Sequence, residues 1–304
     1  MRPPATLSLD LDDKWSYLQT RDDPRWQALP SFLALAVERL LTFTARHRQP
    51  LTVFVVGQDA ALPRNGDALR SLVAAGHEIG NHSFHHESWG IHLPEGNAER
   101  EIADTEAAIQ VACGIRPSGF RGPGFRLSPA MLDILAARGY RYDASTCPNV
   151  AGPLAGLYFD WTNRGRQLSN RSGAVLYGSF AEALRPLNPY RWHNGLLELP
   201  VSTAPFVRLP VHGSYLFYLA TFSPRAANAW FYTFLRLCRA TGTPPSFLLH
   251  SVDFLGADDD PDMDFFPGMK LTWRRKIELL DRWIEALQRW FEVTTLQRFV
   301  ETFE

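Results

Sequence analysis

The sequence predicts an α/β fold built from strands and helices that alternate along one chain of 304 residues. Apolar runs of strand length alternate with longer segments that carry apolar residues at helical spacing. Acids and histidines directly follow several of the apolar runs, as expected where the carboxyl ends of parallel strands present functional groups. Because there is no internal repeat and no low-complexity linker, these observations favour a single domain of residues 1–304.

The predicted elements follow one another as such a repeat requires. Residues 128–138 illustrate the criteria, because a Ser-Pro pair opens this helix and Gly139 follows its end. Residues 152–215 break the rhythm with many Pro, Gly, Arg and aromatic residues, and we predict that they are an inserted segment that shapes one wall of a cleft. The other predicted elements are a strand that runs into acids at 7–14, a helix at 31–46, a buried strand at 51–56, helices at 67–75 and 96–113, a short strand at 140–143 and an amphipathic helix at 273–290.

The histidines His82 and His86 are the most informative pair in the sequence. On a helix or a tight helical turn, a spacing of four residues puts both side chains on one face, within reach of one metal ion. An isolated pair of this kind is more often a surface or core histidine cluster. The functional interpretation therefore depends on further ligands elsewhere in the chain.

Three acids at the end of the first predicted strand are candidates for a third ligand. Period-two alternation puts Asp10 and Asp12 on one side of the chain and Asp13 on the other. Two carboxylates at one strand tip can divide the work, one binding a metal and the other acting as a base. The alternative is a solvated acidic turn or a helix cap.

An arginine and a histidine follow two later apolar stretches. Arg121 lies in a loop with Gly122, Pro123 and Gly124, where backbone N–H groups can face a ligand. His250 directly follows an apolar run of strand length. Arg121 could equally be a surface arginine, and a lone histidine after a strand is more often a packed core residue than an acid.

Five short stretches of the chain, taken in order, identify a protein family more specifically than any one of them does alone. Together they resemble the motifs of the NodB-homology polysaccharide deacetylases, which form carbohydrate esterase family 4. The resemblance implies a distorted (β/α)7 TIM-like barrel, a divalent metal held by Asp-His-His and hydrolysis of an N-acyl group from an amino sugar. The five stretches are Ser8-Leu9-Asp10 with Asp12 and Asp13, His82 to His86, Arg121-x-Pro123, Tyr142-Asp143 and Leu248-x-His250.

The resemblance implies catalytic roles for four residues. Asp10 matches the general base of the family, and Arg121 matches the arginine that holds this base. His250 matches the general acid. Asp143 resembles the aspartate that supports this machinery, and we expect it to fix the tautomer of His250.

The metal ligands that the resemblance implies are Asp12, His82 and His86. Family members commonly read Thr-Phe-Asp-Asp-Gly, with base and ligand adjacent, whereas one residue separates them here. Asp12 is therefore the first choice of carboxylate ligand, and Asp13 is the reserve. We expect zinc, although cobalt, nickel, iron and manganese can occupy similar sites.

Residues next to these motifs are candidates for substrate contacts. The arginine motif of the family usually ends in an aromatic residue and then glycine, whereas glycine comes first here. The sequence therefore leaves open which backbone N–H is the oxyanion donor. The candidate contact residues are Trp15, Pro123, Gly124 and Phe125.

Composition limits the partners and the location of the protein. The net charge is −1, with 31 basic and 32 acidic residues, so overall charge makes no case for nucleic acid or an anionic membrane surface. No window approaches the ~20 apolar residues of a membrane helix, although peripheral membrane contact is compatible with the sequence. Residues 1–5 lead directly into the first strand, and the three cysteines are widely spaced, so we expect a cytoplasmic protein without disulfides.

The resemblance and the composition together predict a metal-dependent hydrolase of amide bonds. We expect an N-deacetylase acting on the amino sugar of an intracellular glycan or of a lipid-linked biosynthetic intermediate. A deformylase of a lipid-linked formamido sugar would use the same residues, and the apolar residues 216–219 could then face the lipid. A noncatalytic carbohydrate-binding relative is disfavoured, because the base, ligands, arginine and acid are all present. The oligomeric state is left open.

Overall fold

A computed structural model of the protein describes residues 2–86, 95–152 and 180–303. The strands in these residues form one nine-stranded sheet. They are β1 (Pro4–Leu11), β2 (Thr52–Val55), β3 (Glu78–Asn81), β4 (Gly119–Phe120), β5 (Tyr142–Asp143), β6 (Tyr190–Arg191), β7 (Leu197–Glu198), β8 (Ser246–His250) and β9 (Glu292–Thr294).

The α-helices of the described residues lie between these strands and after the last one. They are α1 (Lys14–Gln19), α2 (Leu33–His47), α3 (Gly57–Ala61), α4 (Gly66–Ala74), α5 (Glu95–Cys113), α6 (Pro129–Ala137), α7 (Phe180–Ala183), α8 (Gly213–Phe222), α9 (Pro224–Thr241), α10 (Trp273–Trp290) and α11 (Leu296–Val300).

The sheet follows the path β6-β7-β5-β4-β3-β2-β1-β8, and β9 pairs with the first residues of β1. The seven strands from β7 to β8 pair in parallel, whereas β6 runs antiparallel to β7. The path curls back on itself, because the N–H of Ser202, just beyond β7, donates to the carbonyl of Ser246 in β8 at 3.1 Å. The predicted distorted (β/α)7 barrel is confirmed.

Strand β1 shows how the sequence positions functional groups inside this barrel. Its odd-numbered residues from 5 to 11 belong to the main apolar core, together with side chains of α2, α9 and α10. Its even-numbered residues face the other way, and there Arg121 donates to both Ser8 and Asp10. The parallel register pairs Asp10 with His250 of β8, so these two residues stand side by side at the carboxyl ends of their strands.

The predicted helices agree closely with the structure. Helix α10 has the predicted bounds, and α2 begins two residues later than the predicted helix at 31–46. Helix α6 begins after Ser128, whose Oγ accepts the N–H of Met131 at 3.2 Å. Gly139, just after this helix, has a φ of +78°, a left-handed conformation that glycine adopts without the steric cost of a Cβ.

The segment predicted as an insertion, 152–215, is described from residue 180 onwards and at its first residue. Strand β7 lies within it and is one of the seven parallel strands, so at least this part of the segment belongs to the barrel. Residues 153–179 lie outside the described residues. The cleft-shaping role of the segment stays a prediction.

A buried histidine near the other end of the strands makes stability depend on pH. His77 Nδ1 accepts the N–H of Leu51 at 3.2 Å, and its Nε2 lies 3.2 Å from the hydroxyl of Thr44. Burial lowers the pKa of His77 below its ordinary value of 6.5. The unfolded chain therefore binds more protons than the folded protein just below pH 6.5, and stability falls as pH falls through this window.

We expect the variant His77→Asn, which keeps an acceptor near the position of Nδ1, to show a shallower loss of stability between neutral pH and the folded pKa. The difference in slope is at most about 1.4 kcal/mol per pH unit, the limit for one proton. Chemical denaturation of both proteins at a series of pH values measures it. Equal slopes would show that His77 is not the titrating group.

Candidate active site

One carboxylate and two histidines converge at the carboxyl ends of β1 and β3. Asp12 directly follows β1, His82 directly follows β3, and all three side chains are buried. Asp12 Oδ1 lies 3.3 Å from Nε2 of His82 and 3.1 Å from Nε2 of His86. One potential ligand atom from each residue lies within 4.8 Å of the other two, so the three can bind a single ion.

The hydrogen bonds around this cluster leave the ligand atoms available. Nδ1 of His82 lies 2.7 Å from the carbonyl of Arg121, and donation to this oxygen leaves the lone pair of Nε2 directed at the cluster. Oδ1 of Asp12 is buried without a hydrogen-bond donor among the described residues. Lone pairs that face one another in a buried space are stabilised by a cation, and two imidazoles with one carboxylate suit a divalent transition metal.

The charges of the cluster are strongly coupled. Burial alone would raise the pKa of Asp12, but the two histidines beside it hold this pKa well below its ordinary value of 3.8. Burial likewise opposes protonation of His82, yet Asp10 and Asp12 raise its pKa. The carboxylate is therefore ionised, as a carboxylate ligand of a metal ion must be.

The turn that carries the histidines is neither of the two alternatives, a helix or a tight helical turn, that the spacing of four suggests. Ser83 and His86 both have positive φ values, 62° and 53°. Glu101 of α5 stabilises this turn, because its Oε2 accepts the Ser83 hydroxyl at 2.6 Å and the N–H groups of Phe84 and His85 at 2.8 and 2.9 Å. No spacing rule points to Glu101, since it meets the turn only in the folded chain.

Asp13, the reserve ligand, lies outside the metal cluster. Its Oδ1 accepts the N–H of Lys14 at 2.8 Å, as the N-cap of α1, and the N–H of Phe32 at 2.8 Å. The alternation along β1 turned this side chain away from Asp10 and Asp12, as the sequence predicts. Asp13 therefore has a structural role, and Asp12 is the carboxylate of the cluster.

Asp10 and Arg121 form a buried ion pair beside the metal cluster. Nη1 of Arg121 lies 2.7 Å from Oδ1 of Asp10 and 3.0 Å from the hydroxyl of Ser8. The guanidinium is also fixed by donation from Nε to the carbonyl of Ala144 at 3.0 Å and by the ring of Phe54, 4.2 Å away. Oδ2 of Asp10 stays free of Arg121 and lies 3.9 Å from Nε2 of His82, so it faces the position of the ion.

His250 completes the site from β8. Its Nε2 lies 3.9 Å from Oδ2 of Asp10, and its Nδ1 lies 3.1 Å from the hydroxyl of Ser214. The hydroxyl of Ser214 in turn donates to Oδ1 of Asp253 at 3.1 Å. Oδ2 of Asp253 accepts the backbone N–H of His250 at 2.9 Å. A Cβ on Gly213 would lie 2.1 Å from Asp253, so this glycine lets α8 approach closely enough for the contact.

Comparison with known proteins connects this geometry to a family. Residues 13–142 match the family model described as polysaccharide deacetylase. Peptidoglycan deacetylase of Helicobacter pylori is 26% identical over 119 residues, 39% of this chain and 40% of that protein. Chitooligosaccharide deacetylase of Sinorhizobium fredii is 34% identical over 74 residues, 24% of this chain and 33% of that protein. Residues 13–142 of this chain are thus similar to the polysaccharide deacetylase family.

A solved structure shares the fold of the whole chain. The crystal structure of a Mycobacterium smegmatis protein assigned to the polysaccharide deacetylases superposes with a TM-score of 0.63 over 99% of this chain and 91% of that chain, at 19% identity. The chain spans only 31% to 40% of the length of the curated relatives it matches. No helix among the described residues combines the length and apolar character needed to cross a membrane.

Asp143 does not make the contact with His250 that the sequence analysis predicts. The group at Nδ1 of His250 is Ser214, so the prediction that Asp143 fixes the tautomer of His250 is wrong. Asp143 instead accepts the hydroxyl of Ser145 at 2.6 Å, and Ser145 Oγ accepts the N–H of Gly122 at 2.8 Å. Asp143 thus stabilises the loop that carries the arginine of the family motif.

A second buried carboxylate supports Asp143. Burial and the neighbouring Asp143 raise the pKa of Glu198 well above its ordinary value of 4.5, which favours its protonated form. Its Oε1 also accepts the N–H of Thr146 at 3.0 Å, and its Oε2 lies 3.0 Å from Nε1 of Trp192. Glu198 lies in β7, and no sequence motif singles it out.

The candidate substrate contacts divide into two groups. Trp15 is buried with its Nε1 donating to Asp59 at 2.8 Å, so the prediction that it lines a cleft is wrong. Pro123 is also buried, although its neighbours Gly124 and Phe125 line an open cavity of about 220 Å³. The N–H of Phe125 already donates to the carbonyl of Gly122 at 3.1 Å and is therefore engaged.

The same cavity identifies His212 as a residue that the sequence did not indicate. This buried histidine lines the cavity, and its ring centroid lies 5.5 Å from that of His250 and 6.3 Å from that of Phe125. Burial, with His250 and Arg121 nearby, lowers its pKa well below 6.5, so His212 is neutral. The only sequence signal was its position next to Gly213 at the start of an apolar segment.

The contact between Ser214 and His250 predicts a measurable effect on catalysis. The variant Ser214→Ala removes the hydrogen bond at Nδ1 of His250, and we expect kcat/KM to fall about tenfold, part of the 10²–10⁴ that a positioned acid or base contributes. Ser214→Thr keeps the hydroxyl and should restore kcat/KM, whereas equal kcat/KM values for all three proteins would contradict this role.

Proposed function

We propose that the protein is a metal-dependent N-deacetylase that hydrolyses the acetamido group of an amino sugar. The observation that carries the proposal is that Oδ2 of Asp10 lies 3.9 Å from Nε2 of His250 and 3.9 Å from Nε2 of His82, next to the cluster of potential metal ligands. A site that hydrolyses an amide needs a base for water, a stabilised oxyanion and an acid for the leaving nitrogen. In this arrangement Asp10 is available as the base and His250 as the acid.

The cluster of Asp12, His82 and His86 fits a divalent cation, and zinc is the expected one. Bound there, the cation would polarise the acyl carbonyl and lower the pKa of a coordinated water. Arg121 contributes to the same site through its backbone, because its carbonyl orients His82. The match of residues 13–142 to the polysaccharide deacetylase family model supports this assignment.

Asp10 is the proposed general base. Its Oδ1 is held by Arg121 at 2.7 Å, so the carboxylate keeps one orientation and its Oδ2 is left to accept the proton of the attacking water. The buried guanidinium also complements the negative charge of the carboxylate. The base is thus held rigidly before the substrate arrives.

His250 is the proposed general acid. Asp253 accepts the hydroxyl proton of Ser214, which leaves the lone pairs of Ser214 Oγ to accept from Nδ1–H of His250. The proton on Nε2 can then be given to the amide nitrogen as the tetrahedral intermediate collapses. His250 takes the next proton from solvent or from the base, and the sugar leaves with a free amine.

The experiment that tests the proposal measures the acid released from N-acylated amino sugars. Purified protein loaded with zinc is incubated with acetylated and formylated amino sugars, free and linked to nucleotide or lipid carriers, and acetate and formate are quantified. Acetate supports the deacetylase, and formate alone would replace it with the deformylase. Neither product from any donor, with metal bound, would favour the noncatalytic carbohydrate-binding relative. The expected cytoplasmic location stays a prediction.

A further inference from the structure

Exposed apolar side chains are concentrated in one part of the surface. Eight of the ten large apolar side chains exposed among the described residues come from α7 and its end, the loop 204–209 and α8, with 41% to 80% of their surface accessible. We call them the apolar rim: Phe180, Leu184, Phe206, Val207, Leu209, Tyr215, Tyr218 and Phe222.

Helix α8 has an outward face of unusual composition. Leu216, Phe217 and Ala220 are buried, as the inner face of a surface helix should be, so the predicted lipid contact of residues 216–219 is wrong for the first two. The residues at helical spacing on the outer face, Tyr215, Tyr218 and Phe222, are aromatic and exposed. The outer face of a surface helix is ordinarily polar, so this face is suited to a partner that accepts aromatic side chains.

The loop next to α8 is held in a conformation that presents apolar residues. Phe206 and Arg208 have φ values of +68° and +49°, the left-handed region that bulky residues rarely adopt. Arg208 stabilises the loop by donating to the carbonyls of Ala183 and Arg185 at 2.6 and 2.8 Å. Phe206 is thereby 80% exposed on an ordered loop rather than folded back onto the core.

The apolar rim borders the cavity beside the candidate active site on one side. Ala183 of α7, Pro210 at the end of the loop and Tyr215 of α8 all line this cavity. His212 lies in the same cavity and contacts Tyr215, with ring centroids 4.5 Å apart. A surface that docked on the rim would therefore face the opening of the cavity.

The distribution of charge near the apolar rim indicates what kind of partner it binds. Although the whole chain is nearly neutral, residues 199–252 contain four arginines and no acid. Arg225 and Arg236 of α9 are exposed, whereas Arg208 and Arg239 donate to backbone carbonyls. Glu182 of α7 lies 3.9 Å from Arg126, which offsets its charge. Two copies of the chain docked through the rim would bring two sets of exposed arginines toward the same interface. An anionic lipid surface would instead complement the arginines and accept the aromatic side chains.

We propose that the apolar rim binds the interface of a bilayer that contains anionic phospholipids. The aromatic residues of α8 and the loop enter the headgroup region, and arginines such as Arg225, exposed just after Phe222, lie among the lipid phosphates. The mouth of the cavity then opens toward the membrane surface. This binding is independent of the proposed hydrolysis and can be tested without a sugar substrate.

The test is sedimentation of the metal-loaded protein with vesicles. One set consists of phosphatidylcholine mixed with phosphatidylglycerol, and the other consists of phosphatidylcholine alone. We expect wild type to bind the mixed vesicles, and the triple variant Phe206→Ser, Tyr218→Ser, Phe222→Ser to bind at least about tenfold more weakly. Val111→Ser is the matched control, because Val111 is 87% exposed on α5 outside the rim, and it should bind like wild type.

Further measurements separate the electrostatic from the apolar contribution to vesicle binding, and vesicle binding from self-association. Arg225→Glu should weaken binding to the mixed vesicles while leaving the weaker binding to phosphatidylcholine unchanged. Thermal midpoints and metal content of all variants verify that they fold. Wild type that fails to sediment with either set of vesicles, or a triple variant that binds as well as wild type, would overturn the proposal. So would a wild-type dimer in analytical ultracentrifugation that the triple variant abolishes, without vesicle binding, since the rim would then be a self-association surface.

Discussion

The double variant His82→Ala, His86→Ala should contain almost no metal, whereas wild type purified in the same way should contain about one divalent ion per chain. The reason is that two of the three converging ligand atoms are removed, and a single buried carboxylate cannot hold a transition metal in a tetrahedral site. Elemental analysis measures the metal directly and requires no substrate. Hydrolysis of any acyl sugar should be lost together with the ion.

His193→Ala is the matched control for this experiment, because His193 is an exposed imidazole whose partner is Asp133 and which lies outside the cluster. It should retain the full metal content. If wild type bound no metal even after incubation with zinc, the catalytic interpretation would be abandoned in favour of a carbohydrate-binding protein. If the double variant retained the metal, the ligands would lie elsewhere.

The variant Asp10→Asn should lose activity while keeping its metal. Asparagine preserves the shape of the side chain and can still accept from Arg121, but it cannot take a proton from water. We expect kcat to fall about 10²- to 10⁴-fold, the usual contribution of a general base, with the metal content unchanged. Initial rates of acyl release, measured beside elemental analysis, test both parts.

Asp22→Asn is the control, since Asp22 is exposed at a position with a φ of +57° that asparagine also tolerates. It should have wild-type rates. Loss of metal in Asp10→Asn would mean that Asp10 is a ligand rather than a base. A wild-type rate in this variant would assign the base to another group, and sugar binding without hydrolysis in either protein would identify the noncatalytic relative.

Local patterns in the sequence were sufficient for much of the site. The alternation of β1 placed Asp10 and Asp12 together and turned Asp13 away, and motif order brought Arg121 to Asp10. These predictions succeeded because each residue lies at the end of a parallel strand, and all such ends meet at one edge of the barrel.

The parts that were missed depend on packing between distant elements. Ser214 reaches His250 because α8 packs beside β8, a contact that no spacing rule contains. Trp15 was expected at the surface of a cleft, but Asp59 of α3 offers its indole N–H a buried partner. A polar side chain that gains such a partner can be buried at little cost, so its exposure depends on residues far away in the chain.

Arg121 links the two halves of the site through different atoms. Its side chain holds Asp10, whereas its backbone carbonyl orients His82. We therefore expect loss of the side chain alone to abolish hydrolysis and to leave the metal content unchanged. A change in the backbone conformation at Arg121 would disturb both halves. Gly122 is required for the present conformation, because a Cβ there would lie 2.0 Å from the carbonyl oxygen of Arg126. A substitution of the arginine side chain could therefore abolish hydrolysis and preserve metal binding, whereas a substitution of the neighbouring glycine would disturb both.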